Sequence, residues 1–378
     1  MRMFGYRLVR LIGCVVVALW SWVAPACNVP VFRYALERWD ADAYQIVVFY
    51  NAPLSVEQQA VVGALEQRGQ DGLANLTVNN VDLAHDVPPP LRELWAAQKS
   101  PALPWMVVRY PRPTGIQPPT WAGPLSAEAV GSLVESPARR DIVRKLLSGD
   151  AVVWLLLESG DRKRDHEAAQ LVEAELRKLE KSLVLPERSP LDPPINPELP
   201  LKIAFSTLRV ARSDPAERML VNLLLNWKTN LTTDKEPMLF PIFGRGRVVS
   251  PAIGSEIRPG AIRDMAEFLT GPCSCEVKEL NPGYDLLLAA NWNSLPGYQE
   301  EMLPPPLVGL SQFAAAAATN TSAPPHPPRA SLAAGTPSPT PAGRDHLGRN
   351  LVALLSLGVI FLALTTLVLK VKAGRAPH

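Results

Sequence analysis

Hydrophobic runs of strand length alternate with helix-type segments along most of the chain. Residues 44–50 read YQIVVFY, and this aromatic and β-branched content predicts a buried strand. Ser55 can cap a helix after it, with apolar positions at Val61, Val62 and Leu65. Further strands are predicted at 76–83 and 105–110, and further helices at 91–98, after Ser126 and at 139–147. Strands separated by helices predict an α/β fold with helices on both faces of a sheet.

The second half of the chain repeats this order of elements. Residues 151–157 (AVVWLLL) predict a buried strand, and the charged segment 165–183 has apolar residues at helical spacing. The later elements are a strand at 201–206, a helix at 215–227, the strand MLFPIF after Pro237, a glycine turn at 244–247 and a helix at 260–269. We therefore predict two tandem modules, residues 27–149 and 150–302. The alternative is one such module beside an unrelated α/β domain.

The order of elements resembles the thioredoxin fold over residues 40–147 and, less completely, over 151–290. The resemblance implies two mixed sheets covered on both faces. It places Pro104 where the family keeps a cis-proline beside its active site, and Pro237 has the corresponding place in the second module. Binding grooves are therefore expected around Pro104 and Pro237.

The family's catalytic Cys-x-x-Cys motif is missing from the first module. Where the resemblance places it, between the first strand and the first helix, the chain reads NAPLSVE from Asn51 to Glu57. Dithiol exchange needs a thiolate nucleophile, so it is excluded at this position. No cofactor is predicted.

The chemically distinctive motif is Gly271-Pro272-Cys273-Ser274-Cys275. Two thiols one residue apart can form a structural disulfide, act as a redox pair, or bind a soft metal ion. No second cysteine pair or histidine cluster completes a metal site in the sequence. Cys27 can instead pair with one of the two. All three roles stay open at this stage, with Cys273 and Cys275 as redox or metal candidates.

A membrane span is predicted near the C-terminal end. Residues 351–369 (LVALLSLGVIFLALTTLVL) carry no charge, and a helix of that length extends about 28 Å, close to the hydrocarbon thickness of a bilayer. Lys370, Lys372 and Arg375 follow, and basic residues beside a span favour the cytoplasmic side. The prediction is a transmembrane helix at 350–370, a cytoplasmic tail at 371–378 and the bulk of the chain outside the cytoplasm.

The N-terminal sequence is typical of a secretory signal. Arg2, Arg7 and Arg10 precede the apolar run 11–23, and Ala24-Pro25-Ala26 offers small residues for cleavage before Cys27. We predict a signal peptide at 1–26. Cys27 would then be the first mature residue and is a lipidation candidate, although the preceding residues fit a lipobox poorly. An uncleaved N-terminal anchor is the alternative.

Composition limits the remaining possibilities. Residues 303–349 are rich in proline, alanine, serine and threonine, which predicts a disordered linker between the modules and the membrane. The formal net charge is +2 and no basic stripe appears, so nucleic acid is not an expected partner.

Two classes of function fit these features. The first is a non-catalytic binding or scaffold protein of the cell envelope, in a periplasmic or extracellular setting, that contacts the lipid bilayer and a protein partner. The second is an envelope thiol oxidoreductase or soft-metal handling protein that uses Cys273 and Cys275. Missing thiols at the dithiol positions of both modules favour the first class, and this weighs against enzymatic activity without deciding it.

Overall fold

A computed structural model describes residues 27–116, 118–273 and 277–295, and it contains two sheets. The strands of the first are β1 (Tyr44–Tyr50), β2 (Leu76–Asp82), β3 (Trp105–Arg109) and β4 (Pro119–Pro124). Their order is β2-β1-β3-β4. Strand β1 is parallel to β2 and antiparallel to β3, and β4 is antiparallel to β3. This is the mixed sheet that the resemblance implied.

The helices of this half are α1 (Val31–Arg38), α2 (Val56–Gln70), α3 (Pro89–Ala96), α4 (Ala127–Val134) and α5 (Pro137–Leu147). Helix α2 is the crossover that the parallel strands β1 and β2 require. Three helices begin after serines whose hydroxyls accept a backbone N–H of the first turn, namely Ser55, Ser126 and Ser136. The predicted cap at Ser55 is confirmed, and Gln58 completes it by accepting the Ser55 N–H.

The second sheet repeats the first and extends it. Its strands are β5 (Val152–Glu158), β6 (Phe205–Ala211), β7 (Met238–Phe243), β8 (Arg247–Val248), β9 (Ala252–Ile253) and β10 (Tyr284–Asp285). The order is β10-β8-β7-β5-β6, with β9 also paired to β7. Strand β5 is parallel to β6 and antiparallel to β7, and β8 is antiparallel to β7. The helices are α6 (Arg162–Ser182), α7 (Arg218–Leu225), α8 (Thr229–Thr233) and α9 (Pro259–Thr270). Both halves are therefore thioredoxin-like in strand order.

One hydrophobic cluster is shared by the two sheets. It contains Ile46 and Val108 of the first sheet together with Leu155 and Phe240 of the second. Helix α7 contributes Leu220, which is completely buried. Hydrogen bonds cross the same boundary, because the Tyr110 hydroxyl donates to the Leu223 carbonyl at 2.9 Å. The modules are thus parts of one folded unit.

The outer faces of the two sheets have separate clusters. On the first sheet, helix α3 covers a small cluster of five buried residues, which are Val47, Phe49, Val81, Val87 and Val107. On the second, α1, α6 and α9 cover a larger cluster that includes Trp154 and Leu156. The coverage of the first sheet is thin, because no residue of α3 is fully buried.

Helix α1 belongs structurally to the second module, which corrects the predicted boundary of 27–149 for the first. The Val31 N–H donates to the Gly271 carbonyl at 3.0 Å, and the Cys273 N–H donates to the Val29 carbonyl at 2.9 Å. Val31, Phe32 and Ala35 lie in the outer cluster of the second sheet. The physical reason is that the apolar side of α1 needs a partner, and the second sheet supplies it.

Most predicted elements lie within two or three residues of the observed ones, and one strand does not. The strand predicted at 201–206 lies at Phe205–Ala211 instead. This is an edge strand in which Val210 is the one fully buried residue, so its hydrophobic signal is weak. The more apolar stretch before it has Leu201 packed on the outer cluster as a connecting segment.

Four predicted segments lie outside the described residues: the signal peptide at 1–26, the linker at 303–349, the transmembrane helix at 350–370 and the tail at 371–378. Cys275 also lies outside the described residues. Among the helices that the structure does describe, none combines the length and apolar character needed to cross a bilayer.

Candidate functional site at the edge of the first sheet

The loop after β1 lies at the sheet edge where the resemblance placed an active site. Residues 51–53 are exposed, and the chain then enters α2 at Ser55. The Gln59 side chain donates to the Leu54 carbonyl at 2.8 Å, which adds to the cap made by Ser55 and Gln58. The loop is therefore held by backbone and amide hydrogen bonds and contains no thiol.

Pro104 lies at the same edge. The Leu103–Pro104 peptide bond is cis, as the resemblance implied. Trp105 pairs with Phe49, which is the last but one residue of β1, so Pro104 lies beside the end of that strand. The Pro104 carbonyl accepts the Leu125 N–H at 3.1 Å. These contacts fix Pro104 between the β1 loop and the end of β4.

Partly exposed apolar side chains lie on both sides of Pro104 in the sequence and on the neighbouring helix α3. We call this surface the Pro104 surface and define it as Leu94, Trp95, Leu103, Pro104 and Trp105. Except for Pro104 itself, these side chains pack on the small cluster under α3 while remaining partly accessible. The Trp95 ring lies 5.2 Å from the Phe49 ring, and the Trp105 indole N–H donates to Gln98 at 3.3 Å. Accessible tryptophans among aliphatic side chains are typical of protein-binding surfaces.

The corresponding edge of the second sheet differs. Pro237 is buried, and its carbonyl accepts the Gly254 N–H at 2.9 Å. The only cis peptide bond among the described residues is that of Pro104, so the bond before Pro237 is trans. Pro237 therefore cannot form the exposed groove expected around it, because its ring is enclosed by the second module's own residues.

Charged side chains replace the apolar ones at this second edge. The buried Asp165 carboxylate accepts the Ser159 N–H at 2.7 Å and the Gly160 N–H at 3.0 Å, which closes the loop after β5. Arg164 forms ion pairs with Asp161 and Glu236. Burial lowers the pKa of Arg212, whose guanidinium donates to the carbonyls of Asp234 and Glu236. These contacts link the loops at the second edge to one another, although the buried Nε of Arg212 has no hydrogen-bond partner among the described residues.

The cysteine candidates lie away from both edges. Cys27 and Cys273 are buried in the outer cluster of the second sheet, with 7% and 1% exposure. Helix α9 follows strand β9. Strand β9 pairs with the start of β7, and the start of β7 lies beside the end of β5 at the second edge. The 12 residues of α9 extend about 18 Å, and that length of helix separates Cys273 from the second edge.

The structure gives no support for metal binding in the part of the chain it describes. No group of three or more His, Cys, Asp or Glu side chains there is arranged to hold an ion. The metal role of Cys275 falls outside the described residues.

A polar network that sequence reasoning missed joins the modules, with Arg247 and Asp285 buried and Asp42 and Lys278 half-buried. The Lys278 ammonium contacts Asp42 at 2.9 Å and Asp285 at 2.5 Å, and Arg247 contacts Asp285 at 3.2 Å. Burial raises the pKa of Asp42, and the nearby Asp285 carboxylate adds to this effect while Lys278 opposes it. No sequence signal distinguishes these residues from surface charges, because Asp42 lies more than 200 residues before the other three.

Comparisons with known proteins give fold-level matches. No family model matches the chain, and no curated protein matches it. Among solved structures, the chain is similar to the first two thioredoxin domains of Eps1p from Saccharomyces cerevisiae, with 14% identity, a TM-score of 0.20, and coverage of 62% of this chain and 94% of that one. The first two thioredoxin domains of Eps1p from Naumovozyma dairenensis are also similar, with 13% identity and a TM-score of 0.18. That match covers 62% of this chain and 93% of the other.

A crystal structure of ERdj5 in its form II is also similar, with 12% identity and a TM-score of 0.19. The match covers 60% of this chain and 27% of ERdj5, so the chain spans about a quarter of that protein. These TM-scores are low. The thioredoxin-like arrangement therefore rests on the strand order and pairing of the two sheets themselves.

Proposed function

We propose that this chain is a membrane-tethered, thioredoxin-like binding protein that acts outside the cytoplasm and does not catalyse dithiol exchange. The observation that carries the proposal is the Pro104 surface, where partly exposed tryptophan and leucine side chains lie beside a loop without a thiol. Such a surface can bind a partner protein, and it offers no nucleophile for exchange.

The tether is supported by sequence alone. The uncharged run 351–369 has the length of a bilayer span, and the basic residues after it favour a cytoplasmic C-terminus. The linker 303–349 then gives the modules reach from the membrane, up to roughly 140 Å if it is fully extended. A tethered binding protein needs this reach to meet partners in the envelope.

The alternative, thiol or soft-metal chemistry by Cys273 and Cys275, is less well supported. Cys273 is 1% exposed among apolar side chains, and thiols in such surroundings react slowly. A measurable reductase or isomerase activity that is lost on replacing both cysteines by serine would restore this alternative.

Site-specific photo-crosslinking in cells tests the proposal. A photoreactive amino acid replaces Val56, which begins α2 at the Pro104 edge and is 83% exposed. The matched control position is Val184, which is 87% exposed and follows α6. We expect a discrete protein adduct from position 56, lost when Leu103→Asp places a charge in the surface and retained with Leu191→Asp, at an 85% exposed control site. No adduct at position 56, or equal adducts at 56 and 184, would contradict the proposal.

A further inference from the structure

A cavity of about 430 Å³ lies between the two modules. One of its walls belongs to the end of β4 and to α4, and the other belongs to the residues around the start of α7. Small-molecule sites in proteins have volumes of roughly 300–1,000 Å³, so this cavity is large enough to hold a ligand. We call it the inter-module cavity and define it by Trp121, Glu128, Leu133, Arg218 and Met219.

The inter-module cavity and the Pro104 surface lie on opposite faces of the first sheet. Trp121 and Leu133 pack with the hydrophobic cluster that the two sheets share, whereas Trp105 packs with the small outer cluster under α3. A ligand in the cavity therefore does not touch the Pro104 surface, and its binding does not depend on the partner binding proposed above.

The inner part of the cavity is apolar. Leu133 and Met219 are 2% and 5% exposed, so they form a buried base. The partly exposed Trp121 ring provides an aromatic side wall. This ring lies against Gly123, where a Cβ atom would come within 2.3 Å of it. Such surfaces favour apolar side chains in a ligand.

Each wall also carries one charged side chain. Glu128 lies in the first turn of α4, where the helix dipole stabilises its ionised form, and the Arg218 guanidinium is always charged. Both are exposed, and they pair neither with each other nor with another described residue. The hydroxyls of Ser126 and Ser132 hydrogen-bond to the backbone of α4. A ligand therefore meets one carboxylate and one guanidinium, on different walls.

These opposite charges select a ligand that carries both signs of charge. A simple anion would be attracted by Arg218 and repelled by Glu128, and a simple cation would meet the reverse. A zwitterion satisfies both walls if its charges are well separated, since the two side chains do not reach each other. The free termini of an extended dipeptide are roughly 7 Å apart, and its side chains can be apolar.

We propose that the inter-module cavity binds a short zwitterionic peptide, namely a dipeptide with apolar side chains. Its ammonium group lies against the Glu128 carboxylate, and its carboxylate lies against the Arg218 guanidinium. Its side chains lie against the apolar base and the Trp121 ring. This site goes beyond the proposed function, because it is a small-molecule site that both modules build.

The test measures binding of radiolabelled Leu-Leu to the full-length protein in detergent micelles by equilibrium dialysis, with protein-free micelles as the blank. The unlabelled competitors are Leu-Leu, N-acetyl-Leu-Leu, which lacks the ammonium group, and Leu-Leu amide, which lacks the carboxylate. We expect saturable binding of Leu-Leu. Each blocked peptide should bind about threefold to tenfold more weakly, as expected when one charge-assisted contact at an exposed site is lost.

Two variants assign the two charges. Arg218→Gln should bind the amide at least as tightly as Leu-Leu while still discriminating against N-acetyl-Leu-Leu. Glu128→Gln should bind N-acetyl-Leu-Leu at least as tightly as Leu-Leu while still discriminating against the amide. The matched controls are Arg140→Gln and Glu173→Gln, at exposed side chains that do not line the cavity, and they should keep both preferences.

The outcomes separate this inference from the proposed function. Absence of saturable Leu-Leu binding, equal binding of all three peptides, or preferences that both variants leave unchanged would overturn the inference. Thermal unfolding followed by circular dichroism should be unchanged in the variants, because both substitutions are at exposed sites. The crosslink from position 56 should persist in Arg218→Gln, because the cavity lies on the other face of the first sheet, so the two proposals stand or fail separately.

Discussion

Single side chains join the two modules, and Asn75 is the clearest case. Its amide nitrogen donates to the carbonyls of Asp42 at 2.9 Å and Leu286 at 3.0 Å, and its oxygen accepts the Leu288 N–H at 2.9 Å. Each of these bonds replaces one that water would make to a backbone group at the module boundary. The side chain is therefore structural, although it begins an Asn-Leu-Thr sequence of the kind that can be glycosylated.

Asn75→Ala should destabilise the fold by about 2–3 kcal/mol, because it leaves partly buried backbone groups without partners. The control is Asn79→Ala, on the same strand, where the side chain is exposed. Thermal unfolding followed by circular dichroism should show a Tm lower by several degrees for the first variant and near wild type for the second. Equal midpoints for both would show that the three bonds contribute nothing.

Asp42 should give the protein a pH dependence of known sign. Its pKa is raised in the folded state by burial and by Asp285, against the opposing effects of Lys278 and Arg247. A raised folded pKa means that the native state holds the proton more tightly than the unfolded one, so this contribution to stability is present at low pH and is lost as pH rises through the folded pKa.

We therefore expect the stability difference between wild type and Asp42→Asn to move in favour of wild type as the pH falls from 7 to 4. Chemical denaturation at several pH values measures this stability difference. Subtracting one protein's stability from the other's cancels the contributions of the other titrating groups, which both proteins share. A difference that moves the opposite way would contradict the assigned cause.

At the scale of elements, the hydrophobic pattern predicted the strands and helices whose residues are mostly buried. Strand β1 and the strand MLFPIF lie where the sequence placed them, because nearly every residue in each is apolar and buried. The edge strand β6 was displaced because few of its residues are buried. The tertiary location of α1 could not be predicted, since its partners α9 and β7 lie more than 200 residues later in the sequence.

The same limit applies to the candidate site. The fold resemblance predicted the place of Pro104 at the sheet edge, and the absence of a thiol in the loop after β1 is read directly from the sequence. The difference between Pro104 and Pro237 depends on what packs around each ring, and neither local sequence reveals this.

Helix α1 should depend strongly on one buried ion pair. Arg33 and Glu37 are each 1% exposed and 2.6 Å apart, and Arg33 also donates to the carbonyls of Asn196 and Leu199. Arg33→Ala leaves the Glu37 charge buried and should cost about 3–5 kcal/mol. Arg92→Ala, which breaks the exposed pair with Asp86, should cost at most about 1 kcal/mol. Denaturant titration measures the free energy of unfolding of both variants. Similar losses of stability in the two would contradict the role assigned to the buried Arg33–Glu37 pair.

At the scale of the whole molecule, the shared cluster makes the two modules a single cooperative unit. Leu220→Ala removes a completely buried side chain of the second module and should destabilise the protein by about 2–5 kcal/mol. Because the cluster is continuous, amide protection measured by hydrogen exchange should fall in β1 of the first module as well. Val184→Ala, at an exposed site, is the control. Wild-type protection in β1 would show that the modules unfold separately.

The central claim is that this molecule binds a partner through the Pro104 edge without thiol chemistry. The most direct measurement is the yield of the crosslink from position 56 in cells that carry the double variant Cys273→Ser/Cys275→Ser. Retention of the wild-type yield in that variant, together with its loss in Leu103→Asp, is the predicted result. Loss of the crosslink in the cysteine variant, with retention in Leu103→Asp, would contradict the account.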